Sequence, residues 1–187
     1  MITKIDLEKL NSRDPKIKYG FAKELVKIGS EKPELLYEHF VYWVKLLSSD
    51  NNILKWTAID IIGYLSAIDE ENRIKGTMSK LVKMLHSGVL IKCNHAIFAL
   101  GLIYQNKPDL RKKIINEFIA ISHDKFETEE CKNIAIGKVL EAIKPFVADL
   151  KENKSVVSFI ENATKSERNA TKKKAEQLLK KLQKSDR

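Results

Sequence analysis

Residues 51–65 read NNILKWTAIDIIGYL, and residues 89–103 read VLIKCNHAIFALGLI. Laid so that Ala58 falls on Ala96, the two stretches share their chemistry. A hydrophobic residue followed by lysine precedes the alanine (Leu54-Lys55, Ile91-Lys92). An apolar residue comes four positions later (Ile62, Leu100), glycine five later (Gly63, Gly101) and an apolar residue seven later (Leu65, Ile103). Steps of three and four put these side chains on one stripe of a helix, and no part of the chain alternates as a strand would.

The same unit returns on either side. Aligned small residues stand at Ala22, Ala58, Ala96, Ala135 and Ala175, with successive spacings of 36, 38, 39 and 40 residues. Val26, Val139 and Leu179 continue the apolar position four later, and Leu182 continues the one seven later, where Gly29 and Ala142 depart. Eight positions before the alanine stand Asp14, Asp50, Glu127 and Glu167, the third unit departing with Gly88. Ile17-Lys18, Cys131-Lys132 and Thr171-Lys172 complete the lysine series. A period near 40 residues is that of two-helix solenoid units. An acid in the turn, then a hydrophobic–basic pair, then Ala and Leu-Gly, resembles the second-helix pattern of the HEAT family over roughly residues 14–183. That resemblance implies an all-α, right-handed superhelix of about five HEAT-like (armadillo-like) helix pairs forming one domain. The repeats would run roughly over 1–30, 31–68, 69–106, 107–144 and 145–187.

Punctuation agrees with this reading. Pro33, Pro108 and Pro145 each open an apolar run, where a missing N–H costs nothing. Asp14, Ser49-Asp50, Asp69, Ser87 and Ser166 stand where N-caps are wanted. First helices are expected over about 33–48, 70–86, 108–122 and 145–163, the last broken near Asn153. Second helices are expected over about 15–29, 51–67, 89–105, 128–143 and 167–184, with residues 3–11 as a cap. The alanine would let helices approach closely while the larger apolar positions fill the layer.

Composition bounds the function. Of 187 residues, 43% are hydrophobic and 32% charged, with 7 Gly and 4 Pro, which favours helix over hairpins. No apolar run approaches the ~20 residues of a membrane span. The opening Met1-Ile2-Thr3-Lys4-Ile5-Asp6 lacks a signal-peptide core, and two cysteines, Cys93 and Cys131, give no disulfide framework. The expectation is a cytoplasmic protein with reduced thiols, in which the sequons at Asn162 and Asn169 are chance matches. Net charge is +9, but residues 150–187 hold eleven basic and five acidic residues, a net +6, leaving only +3 for the first 149. A uniformly basic groove is therefore not indicated.

In such arrays the second helices line the concave, binding face. With the alanine turned inward, positions two before and two after it point roughly 160–200° away. These are Gly20 and Glu24, Trp56 and Asp60, Asn94 and Phe98, Asn133 and Gly137, and Lys173 and Gln177, with Tyr64 near the same face. Glu24, Trp56, Asp60, Tyr64, Asn94, Phe98 and Asn133 form the expected partner-binding set, because exposed aromatics anchor interfaces. A protein or peptide is the expected partner. Lys173, Lys174 and Lys181, in a basic last helix, are candidate contacts for an acidic partner or for phosphate. The alternative is a nucleic-acid-binding protein: Trp56 and Asp60 at i, i+4 are similar to the site of the HEAT-like alkylpurine DNA glycosylases. That resemblance implies an aromatic (Trp56) holding the damaged nucleotide and a carboxylate (Asp60) stabilising the cationic sugar. The departures are a short chain, a sparser Trp/Asp motif and no central arginine. His39, His86, His95 and His123 make no metal set, and no phosphate loop or catalytic triad is found, so no catalytic residue, metal or cofactor is expected.

Overall fold

The computed structural model describes residues 5–184. Among the described residues there are ten α-helices and no strand. A 3-10 turn at Leu7–Asn11 precedes α1 (Pro15–Glu31), which is followed by α2 (Glu34–Tyr37), α3 (Phe40–Leu46) and α4 (Asn52–Leu65). Then come α5 (Met78–Leu85), α6 (Leu90–Asn106), α7 (Arg111–Ala120), α8 (Glu129–Ile143), α9 (Lys154–Ala163) and α10 (Asn169–Lys184). The second helices of the repeat, α1, α4, α6, α8 and α10, begin and end within about two residues of the periodicity's limits.

The first helices are less regular. The run expected over 33–48 breaks at Glu38 and His39 into α2 and α3. The one expected over 70–86 starts as a 3-10 turn, Arg73–Thr77, entered through Asn72 in the left-handed region at φ 55°. The one expected over 145–163 divides into a 3-10 stretch, Lys144–Leu150, and α9, whose N-cap is Asn153, the residue where a break was expected. Caps explain several boundaries. Asp14 accepts from the Lys16 amide at 2.8 Å, Thr128 from Cys131 at 3.1 Å, and Asn51 from Leu54 at 3.2 Å. The α4 cap is therefore Asn51; Ser49 instead accepts from the Asn51 amide at 3.1 Å.

The helices group into two compact units. One runs to Leu81 and includes Phe98–Leu110; the other holds Val82–Ile97 and the chain from Arg111 onward. In the first, α4 packs against both α1 and α3 over a core that includes Leu25, Leu36, Trp43, Ile59, Ile61, Ile62 and Leu65. In the second, α10 packs against α8 and α9, and Phe118, Val139, Leu140, Ile160 and Leu178 are buried.

All five alanines of the repeat are buried, Ala22 at 2% exposure and the other four at 0%. Four positions later Ile62, Leu100 and Val139 are buried too, while Val26 and Leu179 are only half-buried, belonging to the first and last repeats. Gly63 is needed for helix approach: a Cβ there would lie 2.8 Å from Ala99 Cα. Gly88, where the third repeat lacks its acid, adopts φ +70°, and a Cβ would lie 2.5 Å from the Lys125 carbonyl oxygen. No side chain, acidic or otherwise, fits there. Ala96→Leu should overpack its crossing and destabilise by roughly 1–3 kcal/mol, read as a melting temperature lower by a few degrees. An unchanged melt would mean that the crossing has room.

No helix among the described residues is long and apolar enough to cross a membrane.

Candidate partner-binding surface

Helix α4 turns Ala58, Ile59, Ile61, Ile62 and Leu65 inward. That leaves Trp56, Asp60 and Tyr64, at i, i+4 and i+8, as one half-buried stripe on its other side. Phe98 on α6 stands beside the stripe: its ring centre is 5.5 Å from that of Tyr64, edge to face at 73°. The Gly63–Ala99 approach brings the two helices close enough for this pair. Phe98 stays 40% exposed even so. It is an apolar ring held in place but not covered.

Tyr64 is fixed from below as well. Its ring meets the position a Cβ would take on Gly29, 3.3 Å away. Burial pushes its hydroxyl pKa up, the nearby Asp60 charge adds to this, and a hydrogen bond with Ser30 partly offsets it. The aromatic pair thus borders a carboxylate. On α1, which packs on α4, Glu24 holds the register of Asp60 and is exposed. Gly20, two positions before Ala22, would have open space around a Cβ. Glu24, Trp56, Asp60, Tyr64 and Phe98 therefore share one unit and combine exposed apolar area with two carboxylates.

The other expected residues lie in the second unit. Asn94 is half-buried, and its Oδ1 has no hydrogen-bond partner among the described residues. Asn133 is tied into the fold: its Oδ1 accepts from Ser166 Oγ at 2.8 Å and its carbonyl from Thr171 Oγ1 at 2.8 Å. Gly137, expected to face solvent, is buried; a Cβ there would lie 2.6 Å from Thr171 Oγ1. In the other second helices the residue three past the alanine is buried (Leu25, Ile61, Ala99, Leu178), whereas in α8 it is the exposed Lys138. Helix α8 is rolled about its axis relative to the sequence alignment, because Gly137 lets Thr171 come close.

The basic last helix is divided in its roles. Lys173 and Lys181 are exposed, but Lys174 Nζ lies 2.6 Å from Glu141 Oε1, with Lys138 on the other oxygen at 2.9 Å. Burial raises the Glu141 pKa, but the two lysines outweigh it and hold the carboxyl below its ordinary value. His86 is also committed, Nδ1 lying 2.7 Å from Asp124 and Nε2 3.1 Å from Glu117.

Sequence reasoning missed a cleft of about 520 Å³ in the second unit, lined by both polar and apolar side chains. It is built mainly on α9, whose 3.6-type pattern repeats Lys154, Ser158 and Asn162 along one face. That pattern is legible in the sequence, although it lies on a first helix rather than on the repeat's second helices.

No family model and no curated protein matches the chain. Two engineered proteins solved by the Northeast Structural Genomics Consortium are similar in fold. One is 15% identical, with coverage of 95% of this chain and 96% of that one and a TM-score of 0.55. The other is 16% identical, with 95% of each chain covered and a TM-score of 0.51. At such identity the likeness shows the fold alone. A designed armadillo repeat protein, 17% identical over 94% of this chain and 97% of that chain, aligns with a TM-score of 0.37, too low to carry an argument.

Proposed function

We propose that this chain is a non-enzymatic interaction module, a single HEAT-like array acting in the cytoplasm without a cofactor. It binds a protein or peptide segment on the patch of Trp56, Asp60, Tyr64 and Phe98. One observation carries the reading: Phe98 is 40% exposed while its ring is held edge-on by Tyr64. An aromatic anchor that is already ordered loses little entropy on binding, and such residues dominate interface energies. The Asp60 carboxylate beside Tyr64, with the exposed Glu24 at the matching position of α1, suits a partner that presents an apolar side chain next to a lysine or arginine.

Selecting peptides from a random library on the intact chain tests this. Selected sequences should pair an apolar with a basic residue. Phe98→Ala should weaken them by at least about 30-fold, corresponding to a hot spot of 2 kcal/mol or more, while shifting the melting temperature little. Selected peptides that bind Phe98→Ala as well as wild type would remove the patch. The same preparations address the nucleic-acid alternative. Release of alkylated purines from DNA by the wild type, abolished in Asp60→Asn, would replace the scaffold reading with the glycosylase one. Tight duplex binding that falls steeply with salt and is lost with Lys173→Gln and Lys181→Gln would place a phosphate contact on the last helix.

A further inference from the structure

The cleft of about 520 Å³ in the second unit has a lining of one electrostatic sign. Its apolar floor is Ile119, Ile136 and Phe159; its polar wall includes Lys154, Ser155, Ser158, Lys165 and His123. No aspartate or glutamate lines it. Lys154, Ser155, Ser158, Asn162 and Lys165 are all exposed. Two neighbouring groups already have partners. Ser122 donates to the Ile119 carbonyl at 2.8 Å, and Ser166 donates to Asn133 Oδ1 at 2.8 Å. That second bond occupies the amide oxygen of Asn133, itself a lining residue, so the remaining polar group of its side chain is the N–H₂ donor. On the neighbouring α8 and α10, Lys138 and Lys174 are both neutralised by Glu141. Lys154 and Lys165 are in no ion pair among the described residues, and they flank the same concavity.

The volume falls within the ~300–1,000 Å³ of small-ligand sites and exceeds what a bare inorganic anion fills. Ammonium groups and hydroxyls on one side suit an anion with several oxygens, and the apolar floor with Phe159 suits a flat, weakly polar body. We infer that this cleft binds a small organic phosphate of nucleoside monophosphate size. Lys154, Lys165 and the serine hydroxyls take the phosphate, and the Ile119–Ile136–Phe159 floor takes the ring. The site lies in the other unit from the aromatic patch and does not depend on it.

Titration calorimetry of the intact chain with adenosine, guanosine, cytidine and uridine monophosphates, with adenosine, and with inorganic phosphate tests this. At least one nucleoside monophosphate should bind, with adenosine and phosphate each weaker by about tenfold or more. Lys154→Gln and Lys165→Gln should each raise Kd about tenfold or more, as expected for loss of a charge-assisted hydrogen bond. Circular dichroism should be unchanged, since both side chains are exposed. Methyl resonances of Ile119 and Ile136 in the wild type should shift with the nucleotide, a readout that needs no variant. Absence of binding by every nucleotide at millimolar concentration would overturn the inference. So would phosphate binding as well as the nucleotides, indifference to both lysine variants, or a phosphoserine peptide binding where nucleotides do not.

Discussion

Asp69→Ala is expected to cost about 3–5 kcal/mol, the usual effect of removing one partner of a buried ion pair. The Asp69 side chain is fully buried and sits 3.1 Å from Lys107 Nζ, whose side chain is 12% exposed. It also accepts from the Tyr37 hydroxyl at 2.7 Å and from the amides of Arg73 at 2.8 Å and Ile74 at 3.1 Å. Lys107 donates further to the Asp69 carbonyl oxygen. Without the carboxylate, an ammonium, a phenol and two amides lose their acceptor together, and Tyr37 loses the contact that anchors it beneath the Arg73 guanidinium, 5.2 Å above its ring. Thermal unfolding should fall by roughly 10 °C. A drop under about 2 °C would show that water replaces the carboxylate at little cost.

The same group gives a pH dependence whose sign follows from its pKa. Burial raises the Asp69 pKa, but hydrogen bonds from Tyr37, the Ile74 amide, Lys107 and the Arg73 amide outweigh it, leaving the carboxyl below its ordinary value. A folded pKa below the unfolded one contributes stability that is complete above the unfolded value, about 3.9. That contribution is lost as pH falls through the folded value. Wild type should therefore lose stability below about pH 4, and Asp69→Asn, weaker throughout, should lose less across that range. For Tyr37, burial comes first, then the hydrogen bond to Asp69, pushing its pKa up to about 12. Its proton stays in place across the whole range of such a titration.

The second large effect is Trp43→Ala, expected to cost about 3–5 kcal/mol as a core tryptophan truncation. Trp43 is 0% exposed, its Nε1 donates to the Leu36 carbonyl at 2.9 Å, and its ring meets Tyr42 edge-on at 5.3 Å. The indole is what joins the short α2 and α3 helices across their break, so its loss removes both the packing and a hydrogen bond. Trp56→Ala provides the contrast. Trp56 is half-buried on the outer stripe of α4, so its truncation should cost clearly less stability while reducing partner binding. Equal melting losses in the two variants would place Trp56 in the core and take it out of the patch.

Much of the fold was legible because a repeat states its pattern several times. Ala58 and Ala96 inside matching apolar stripes set the register, and Ala22, Ala135 and Ala175 extended it. All five proved buried because a helix face with that spacing has no other way to leave water. The first helices were less legible. The break near Asn153, an N-cap whose side chain accepts from the Val156 amide, was legible, but those at His39 and at the left-handed Asn72, neither of which makes a side-chain cap hydrogen bond, leave no periodic trace. Within the candidate patch, periodicity placed Trp56, Asp60 and Tyr64 on one side of α4. It could not show that Tyr64 would hold Phe98.

The amino-acid sequence by itself determined the helical class, the period near 40 residues, the limits of the second helices and the buried alanine face. These are local properties, repeated often enough to be read. Tertiary structure alone decided how far each helix rolls about its axis, which charges meet and where a cleft opens. Gly137 against Thr171 turned α8 away from the alignment, Asp69 found Lys107 from 38 positions away, and α9 opened a cationic cleft beside α7 and α8. Each depends on what a neighbouring helix presents at van der Waals distance, and no period along one chain carries that information.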